Sequence, residues 1–368
     1  MTASSLPETV RIIEETTEQG LQRGFQLYVS QYGEIVADAG FGEARPGIPM
    51  TSDSITLWLS AGKPVTAVAI LQLWESGRLG LDDPVQQHIP EFAGEERAEI
   101  TIRHLLTHTV GIKQIAHGWP QVNWETIIER ICDAPLLEEW PPGKRAAYQP
   151  SLTWFLLGEI IQRITGRNFS DYIGQQVFLP CGMEDSWNGM PQEVFDGYGD
   201  RISMMYQRER NELKTLDWHE GGRCTAPSPG SNCRGPAREL GRFYEMLLHG
   251  GKGPDDINVL KSTTVELMTR RVRENLFDET LQFLVDFGLG VIINSNRYGA
   301  DKVPYGFGPY AGDHAFGHGG SQSSIGFADP DNGLVIVAIA NGMAGEPKHQ
   351  RRARAINAAI YEDLGLHG

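Results

Sequence analysis

Ser60 and Lys63 stand three residues apart in Ser60-Ala61-Gly62-Lys63, just ahead of an almost wholly apolar run from Val65 to Trp74. At the start of a helix this spacing puts the hydroxyl and the amine on one face, within hydrogen-bonding reach. Serine alone is a poor nucleophile, and a lysine whose ammonium is destabilised by burial or by a second cation can take its proton near neutral pH. The spacing by itself is weak: 18 Ser and 8 Lys in 368 residues give about 0.4 such pairs by chance, and a capping Ser beside a surface Lys looks the same. Context favours the chemical reading. A Lys one turn into an apolar helix is buried, and an unpaired buried ammonium is costly unless it has a partner or a task.

Two further motifs could serve that pair. Tyr148 lies in Lys144-Arg145-Ala146-Ala147-Tyr148-Gln149-Pro150-Ser151, ahead of a helical run through Leu156, Leu157 and Ile161, where a loop position suits a functional phenol; a Tyr packed at the helix entrance is the structural alternative. Phe316-Gly317-His318-Gly319-Gly320-Ser321 puts a His at the start of a glycine-rich strand. Glycines there mark close approach of a ligand or of another backbone, and a bulge with a satisfied His is the other reading.

The elements that must position these groups follow from periodicity. Residues 7 to 22 read as a helix, followed by a hairpin from Phe25 to Val29 and Ile35 to Ala39 around Gly33. Pro64 is tolerated only in a helix's first turn, so the helix from Val65 to Trp74 begins close to Ser60. From about 80 to 236 helical patterns dominate, such as Ile102 to Leu106 and Ser151 to Ile164, with a loop-rich stretch around 206 to 236. A helix at Ala237 to Leu248 precedes strands at Phe287 to Ile293, Ser324 to Ala328 and Leu334 to Ala340, the last two joined by a turn at Asp329 to Gly333. A final helix spans about 348 to 363. Strands at both ends imply an α/β (α+β) fold: a sheet domain from 1–79 and 237–368, a mainly helical inserted domain at 80–236, and an active site at their interface.

Composition narrows the partners. A formal net charge of -15, from 32 basic and 47 acidic residues, argues against nucleic acid or an anionic membrane surface. The densest basic stretch, Arg351, Arg352 and Arg354, reads as a solvated helix face. The start of the chain has neither a basic segment nor an apolar run, and no stretch approaches the roughly 18 residues of a membrane span, so a cytoplasmic location is expected. Cys132, Cys181, Cys224 and Cys233 read as free thiols, with a Cys224–Cys233 disulfide as the alternative. His104 and His108 stand four apart, but Leu105 fills the place of the Glu in H-E-x-x-H, and neither metal nor cofactor is expected. No G-x-S-x-G elbow occurs, which argues against an α/β-hydrolase.

The order S-x-x-K, then a Tyr motif, then a His followed by Gly pairs near the end resembles the serine β-lactamase and penicillin-binding-protein superfamily, closest to class C β-lactamases, D-Ala-D-Ala carboxypeptidases and related esterases. Leu81-Asp82-Asp83-Pro84-Val85, the segment from Ile102 to Gly111, Leu157-Gly158-Glu159-Ile160 and Ala237-Arg238-Glu239-Leu240 extend the resemblance over nearly the whole chain. It implies a β-lactamase/transpeptidase-like fold with a central antiparallel sheet flanked by helices. It makes Ser60 the acylated nucleophile, Lys63 its base, and Tyr148 a proton relay in the form of a phenolate stabilised by Lys63. The backbone N–H groups of Ser60 and Ser321 form the oxyanion hole, and His318 sits beside Tyr148 and Lys63.

Two departures bear on the substrate. Tyr148-Gln149-Pro150 replaces Tyr-x-Asn, so the amide that holds an acylamino side chain is lost unless Gln149 replaces it. His318-Gly319-Gly320 replaces Lys-Thr-Gly, which removes a fixed charge and a hydroxyl that bind a carboxylate, and leaves Gly319 and Gly320 as the substrate-facing pair. The resulting expectation is a carboxylesterase-like serine hydrolase on a small-molecule ester or amide. A β-lactamase, D-amino-acid peptidase or acyltransferase on the same scaffold is the alternative, and a catalytically inactive binding protein a third reading. The sequence leaves the oligomeric state open.

Overall fold

In the computed structural model, which describes residues 3–367, the strands that read as continuous apolar runs are covered on both faces. They form an eight-stranded antiparallel sheet in the spatial order Asp286–Phe287, Ile292–Ile293, Phe316–Gly320, Ser324–Asp329, Leu334–Ala340, Gly24–Gln31, Glu34–Arg45 and Ile48–Pro49. Alternate residues of the middle strands point to two separate cores, as the two-residue period requires. Leu27, Val29 and Ile336 pack with Ile13 and Ile356 of the first and last helices. On the other face Tyr28, Val335 and Val337 join Leu240 and Phe243 of the helix Ala237–Leu248, and this core continues into the helices Lys63–Glu75 and Leu152–Thr165. Both chain ends thus build one sheet, and helices flank it.

Three expectations need correction. The strand expected at Phe287 to Ile293 is a tight hairpin of two short strands, because Gly290 adopts φ +78° and Gly288 N–H donates to the Val291 carbonyl. The loop-rich stretch from 206 to 236 carries a hairpin, Met205–Glu209 with Glu212–Leu216, and a short strand Cys233–Gly235 paired on both sides. Arg352 does not lie on a solvated helix face. It is buried, and its guanidinium donates to the carbonyls of Leu21, Gln322 and Gly342 and to Gln22 Oε1, which ties the last helix to the first hairpin.

The four cysteines are free and buried, so the alternative Cys224–Cys233 disulfide is absent. Among the described residues no helix is long and apolar enough to cross a membrane. His104 caps the helix Ile102–Leu106 through Nδ1, and His108 lies past its end with φ +54°, so the two do not share a helical face.

Candidate active site

Ser60 sits in a single 3₁₀ turn, Leu59–Gly62, that runs directly into the helix Lys63–Glu75. Leu59 before it holds φ +52°, a left-handed conformation that costs a branched side chain about 1–3 kcal/mol and persists only where packing over-determines it. Packing of Leu59 with Leu57, Met205 and Met343 does so. The strand Phe316–Gly320 abuts the same turn. A Cβ on Gly320 would lie 2.4 Å from the Trp58 carbonyl oxygen, so the glycine is there for a backbone neighbour. Ser324 Oγ–H donates to that carbonyl at 2.6 Å and fixes the contact.

Lys63 is fully buried, and its Nζ meets three atoms: Ser60 Oγ at 3.0 Å, the Pro150 carbonyl at 2.8 Å and the Gly230 carbonyl at 2.6 Å. Gly230 can come this close because a Cβ there would strike Trp154 and the Pro150 carbonyl. Among the described residues no carboxylate pairs with Lys63, and burial pushes its pKa well below the ordinary lysine value, against an opposing pull from Cys233. Once it has shed a proton, such an amine can donate its two N–H bonds to the two carbonyls and offer its lone pair to the Ser60 hydroxyl.

Tyr148 lies across this pair, with Lys63 Nζ 5.3 Å from its ring centroid. Burial pushes its hydroxyl well above the usual phenol range, Ser60 pulls it part of the way down, and the Asp278 carboxylate adds to the rise. Where the sequence led to the expectation of a phenolate, burial favours the neutral phenol. His318 is buried with its ring centroid 5.9 Å from that of Tyr148. Its Nδ1 stands 2.7 Å from the Gly319 carbonyl, which can only accept, so the proton is on Nδ1 and Nε2 carries the lone pair, without a protein partner among the described residues. Burial drives the His318 pKa down to about 3.

Ser60, Tyr148, His318, Gly319 and Ser321 share the wall of one cavity of about 400 Å³. The structure places two expected substrate contacts elsewhere. Gln149 is buried, its Nε2 donates to the Ile112 carbonyl at 2.8 Å, and its Oε1 accepts from Gln114 at 2.6 Å, so both ends of the amide are engaged within the protein. Gly320 serves the packing of the Ser60 turn described above.

A β-lactamase family profile matches residues 10–360. The chain belongs to the β-lactamase family. Within it, the chain is 30% identical to the esterase EstB of Burkholderia gladioli over 289 residues, which take in 67% of this chain and 73% of that protein. It is also 30% identical to a penicillin-binding protein of Bacillus subtilis over 182 residues, 47% of this chain and only 39% of that protein. Among solved structures it resembles EstCE1, described as a hydrolase with promiscuous acyltransferase activity, with a TM-score of 0.80 at 22% identity over 98% of this chain and 99% of that one. The protein is a serine hydrolase of the β-lactamase and penicillin-binding-protein fold.

Sequence reading missed the rest of the wall. Tyr305, with φ +55°, donates its hydroxyl to Glu346 Oε1 at 2.7 Å, and its N–H donates to Gln350 Oε1 at 2.9 Å. Thr280 and Leu281 complete the wall, held by Asp278, whose Oδ1 accepts the N–H groups of Tyr148, Thr280 and Leu281 at 2.9–3.0 Å. Asp278 in turn pairs with Arg273 at 3.1 Å, both almost fully buried. His108 lies under Tyr148, ring centroids 4.6 Å apart, and accepts the Gln149 N–H at Nδ1. No local motif announces these residues, which only tertiary packing brings together.

Proposed function

We propose that this protein is a carboxylesterase-like hydrolase that acts on small uncharged esters through an acyl-enzyme on Ser60. The observation that carries the reading is the charge of the cavity wall: among the described residues it holds the Glu346 carboxylate and neither Lys nor Arg, and its imidazole is held neutral. A β-lactam or a peptide ending in D-Ala brings a carboxylate that this wall repels, whereas an ester without one meets Leu281, Ile292, Pro304 and Tyr305. The relative EstB, named an esterase, supports the same choice.

In this mechanism Lys63 takes the proton of Ser60 as Oγ attacks the ester carbonyl, and the oxyanion rests on the N–H groups of Ser60 and Ser321. Tyr148, a neutral phenol, gives its proton to the departing alkoxide and regains one from Lys63. Water then enters. His318 Nε2 accepts one of its hydrogen bonds, Lys63 withdraws its other proton through Tyr148 as the oxygen attacks the acyl carbonyl, and Lys63 returns that proton to Ser60 Oγ as the ester bond breaks and the acid leaves. Gly319 forms part of the floor, and the chemistry needs no cofactor. The same reading assigns 1–79 and 237–368 to the sheet domain and 80–236 to the inserted one, with the cavity between them.

Steady-state turnover of p-nitrophenyl acetate, p-nitrophenyl butyrate and nitrocefin by the wild type and by Ser60→Ala tests this. Ester turnover that vanishes in Ser60→Ala, with negligible nitrocefin cleavage, is expected. Rapid nitrocefin cleavage by a protein inert to both esters would move it to the lactamase branch.

A further inference from the structure

Ser321 lines the cavity directly after the strand Phe316–Gly320, and its N–H has no acceptor among the described residues. The next residue, Gln322, holds φ +54°, and the Ser323 N–H closes a tight turn on the Gly320 carbonyl at 3.1 Å. At the third place of such a turn a left-handed residue is ordinarily Gly or Asn. A longer side chain is strained there and persists only where its surroundings impose the conformation.

Two contacts impose it. Gln322 Oε1 accepts the Gly345 N–H at 2.8 Å, and the Gln322 carbonyl accepts from Arg352 Nη2 at 3.0 Å. Arg352 is buried on the last helix, and its other bonds fix the guanidinium in place. Nη1 donates to Gln22 Oε1 at 2.7 Å, and Gln22 is itself anchored, since its Nε2 donates to the hydroxyls of Thr16 and Thr17 at 2.9 and 3.0 Å. Nη2 also lies 3.3 Å from Nδ1 of the buried His349 and 3.4 Å from the Gly342 carbonyl. Burial lowers the Arg352 pKa to about 10, which leaves it charged at neutral pH, and no carboxylate pairs with it among the described residues. The cation is thus held by neutral acceptors, one of which is a carbonyl one residue from Ser321.

An oxyanion donor acts only where it stands at the place the negative charge will form, and a displacement of about 1 Å can cost about a hundredfold in rate. We propose that Arg352 is a positioning residue of the oxyanion hole: by gripping the Gln322 carbonyl it holds the left-handed turn that presents the Ser321 N–H to the acyl group. This role rests on Ser60 as nucleophile and Ser321 as oxyanion donor, as in the mechanism above.

The test is the rate at which a fluorophosphonate labels Ser60 in the full-length protein, a reaction that needs the nucleophile and the oxyanion donors but no particular ester. It is read beside kcat and KM on p-nitrophenyl butyrate, well below the melting temperature of each variant. Arg352→Met should label at least tenfold more slowly and lose kcat by a similar factor, with KM within threefold. Arg352→Lys keeps a cation that can reach the same carbonyl and should recover part of the labelling rate. Gln322→Gly loses the Oε1 contact and frees the turn; it should label severalfold more slowly, and it decides the matter should the Arg352 variants fail to fold. Labelling of a folded Arg352→Met within threefold of the wild type, a rise in KM with kcat unchanged, Arg352→Lys no faster than Arg352→Met, or a wild-type rate in Gln322→Gly would overturn the proposal. Rapid labelling of a wild type that hydrolyses neither p-nitrophenyl ester would count against the carboxylesterase reading alone, and the labelling rates would still decide the role of Arg352.

Discussion

Two basic side chains lie near Tyr148, both buried, and the protein treats them in opposite ways. Arg273 is paired with the Asp278 carboxylate at 3.1 Å, and the same carboxylate holds the Tyr148 backbone. Lys63, on the other side, meets only a hydroxyl and two carbonyls. An arginine stays charged under all ordinary conditions, so burying one calls for a permanent counter-charge, whereas a lysine can shed its proton and be buried as an amine. The difference separates frame from chemistry: a fixed ion pair sets where Tyr148 stands, and an uncompensated lysine supplies a base. The neutral His318 belongs with Lys63, since a charged imidazole beside it would meet no counter-charge either.

The comparison breaks most sharply at Lys63→Arg. This variant keeps a cation beside Ser60 but removes the option of neutrality, so kcat on p-nitrophenyl acetate should fall by about a thousandfold or more, and raising the pH should not restore it. Retention of activity within tenfold would show that Lys63 is not the base. The frame side gives the next largest effect. Asp278→Asn leaves Arg273 buried and unpaired, and urea unfolding should show a loss of about 3–5 kcal/mol. The double variant Asp278→Asn/Arg273→Met should recover much of that stability. A single variant as stable as the wild type would mean that the pair is no frame.

Sequence made one side of this comparison legible and hid the other. Ser60, Lys63, Tyr148 and His318 stand in local patterns whose residue types restrict the chemistry, and the structure gathers them within one small region. The middle of the sheet was legible because strands such as Ser324–Asp329 and Leu334–Ala340 are apolar and joined by a turn, and the hairpin at Gly288 to Gly290 was not, because a short apolar run reads alike with or without a turn in it. Asp278, Tyr305 and Glu346 could not be found this way. Each is one polar residue in a stretch without periodicity, and its role depends on a partner 41 to 130 residues away, as with Tyr305 and Glu346 or Asp278 and Tyr148. Gln149 misled for the related reason that its neighbours in space, Gln114 and Ile112, are remote in the chain.

A pH series sharpens the comparison without disturbing the frame. The folded pKa of Lys63 lies below its unfolded value of 10.5, so between the two the unfolded chain holds one proton more and stability rises with pH. The contribution is absent below the lowered value and complete above 10.5, with a slope of at most about 1.4 kcal/mol per pH unit. Urea unfolding at a series of pH values should show this rise in the wild type and a flatter profile in Lys63→Met. Equal slopes would mean that Lys63 stays charged when folded. For activity the sign is the same: turnover falls as pH drops through the lowered Lys63 pKa, while the raised Tyr148 pKa delays any alkaline loss beyond the ordinary phenol range.

The smallest effect is expected at the cavity mouth, where Tyr305 donates to the exposed Glu346 carboxylate. A hydrogen bond between a wall residue and a solvated acid contributes about 1 kcal/mol or less, and it touches neither the base nor the frame. Tyr305→Phe should therefore leave kcat on p-nitrophenyl butyrate unchanged and move KM by no more than about fivefold. The side chain stays large and apolar, so the wall keeps its shape, while Glu346 is freed to swing toward a substrate. A fall in kcat rather than a shift in KM would place Tyr305 with Lys63 on the chemical side, and the proton path through Tyr148 would then extend to the mouth.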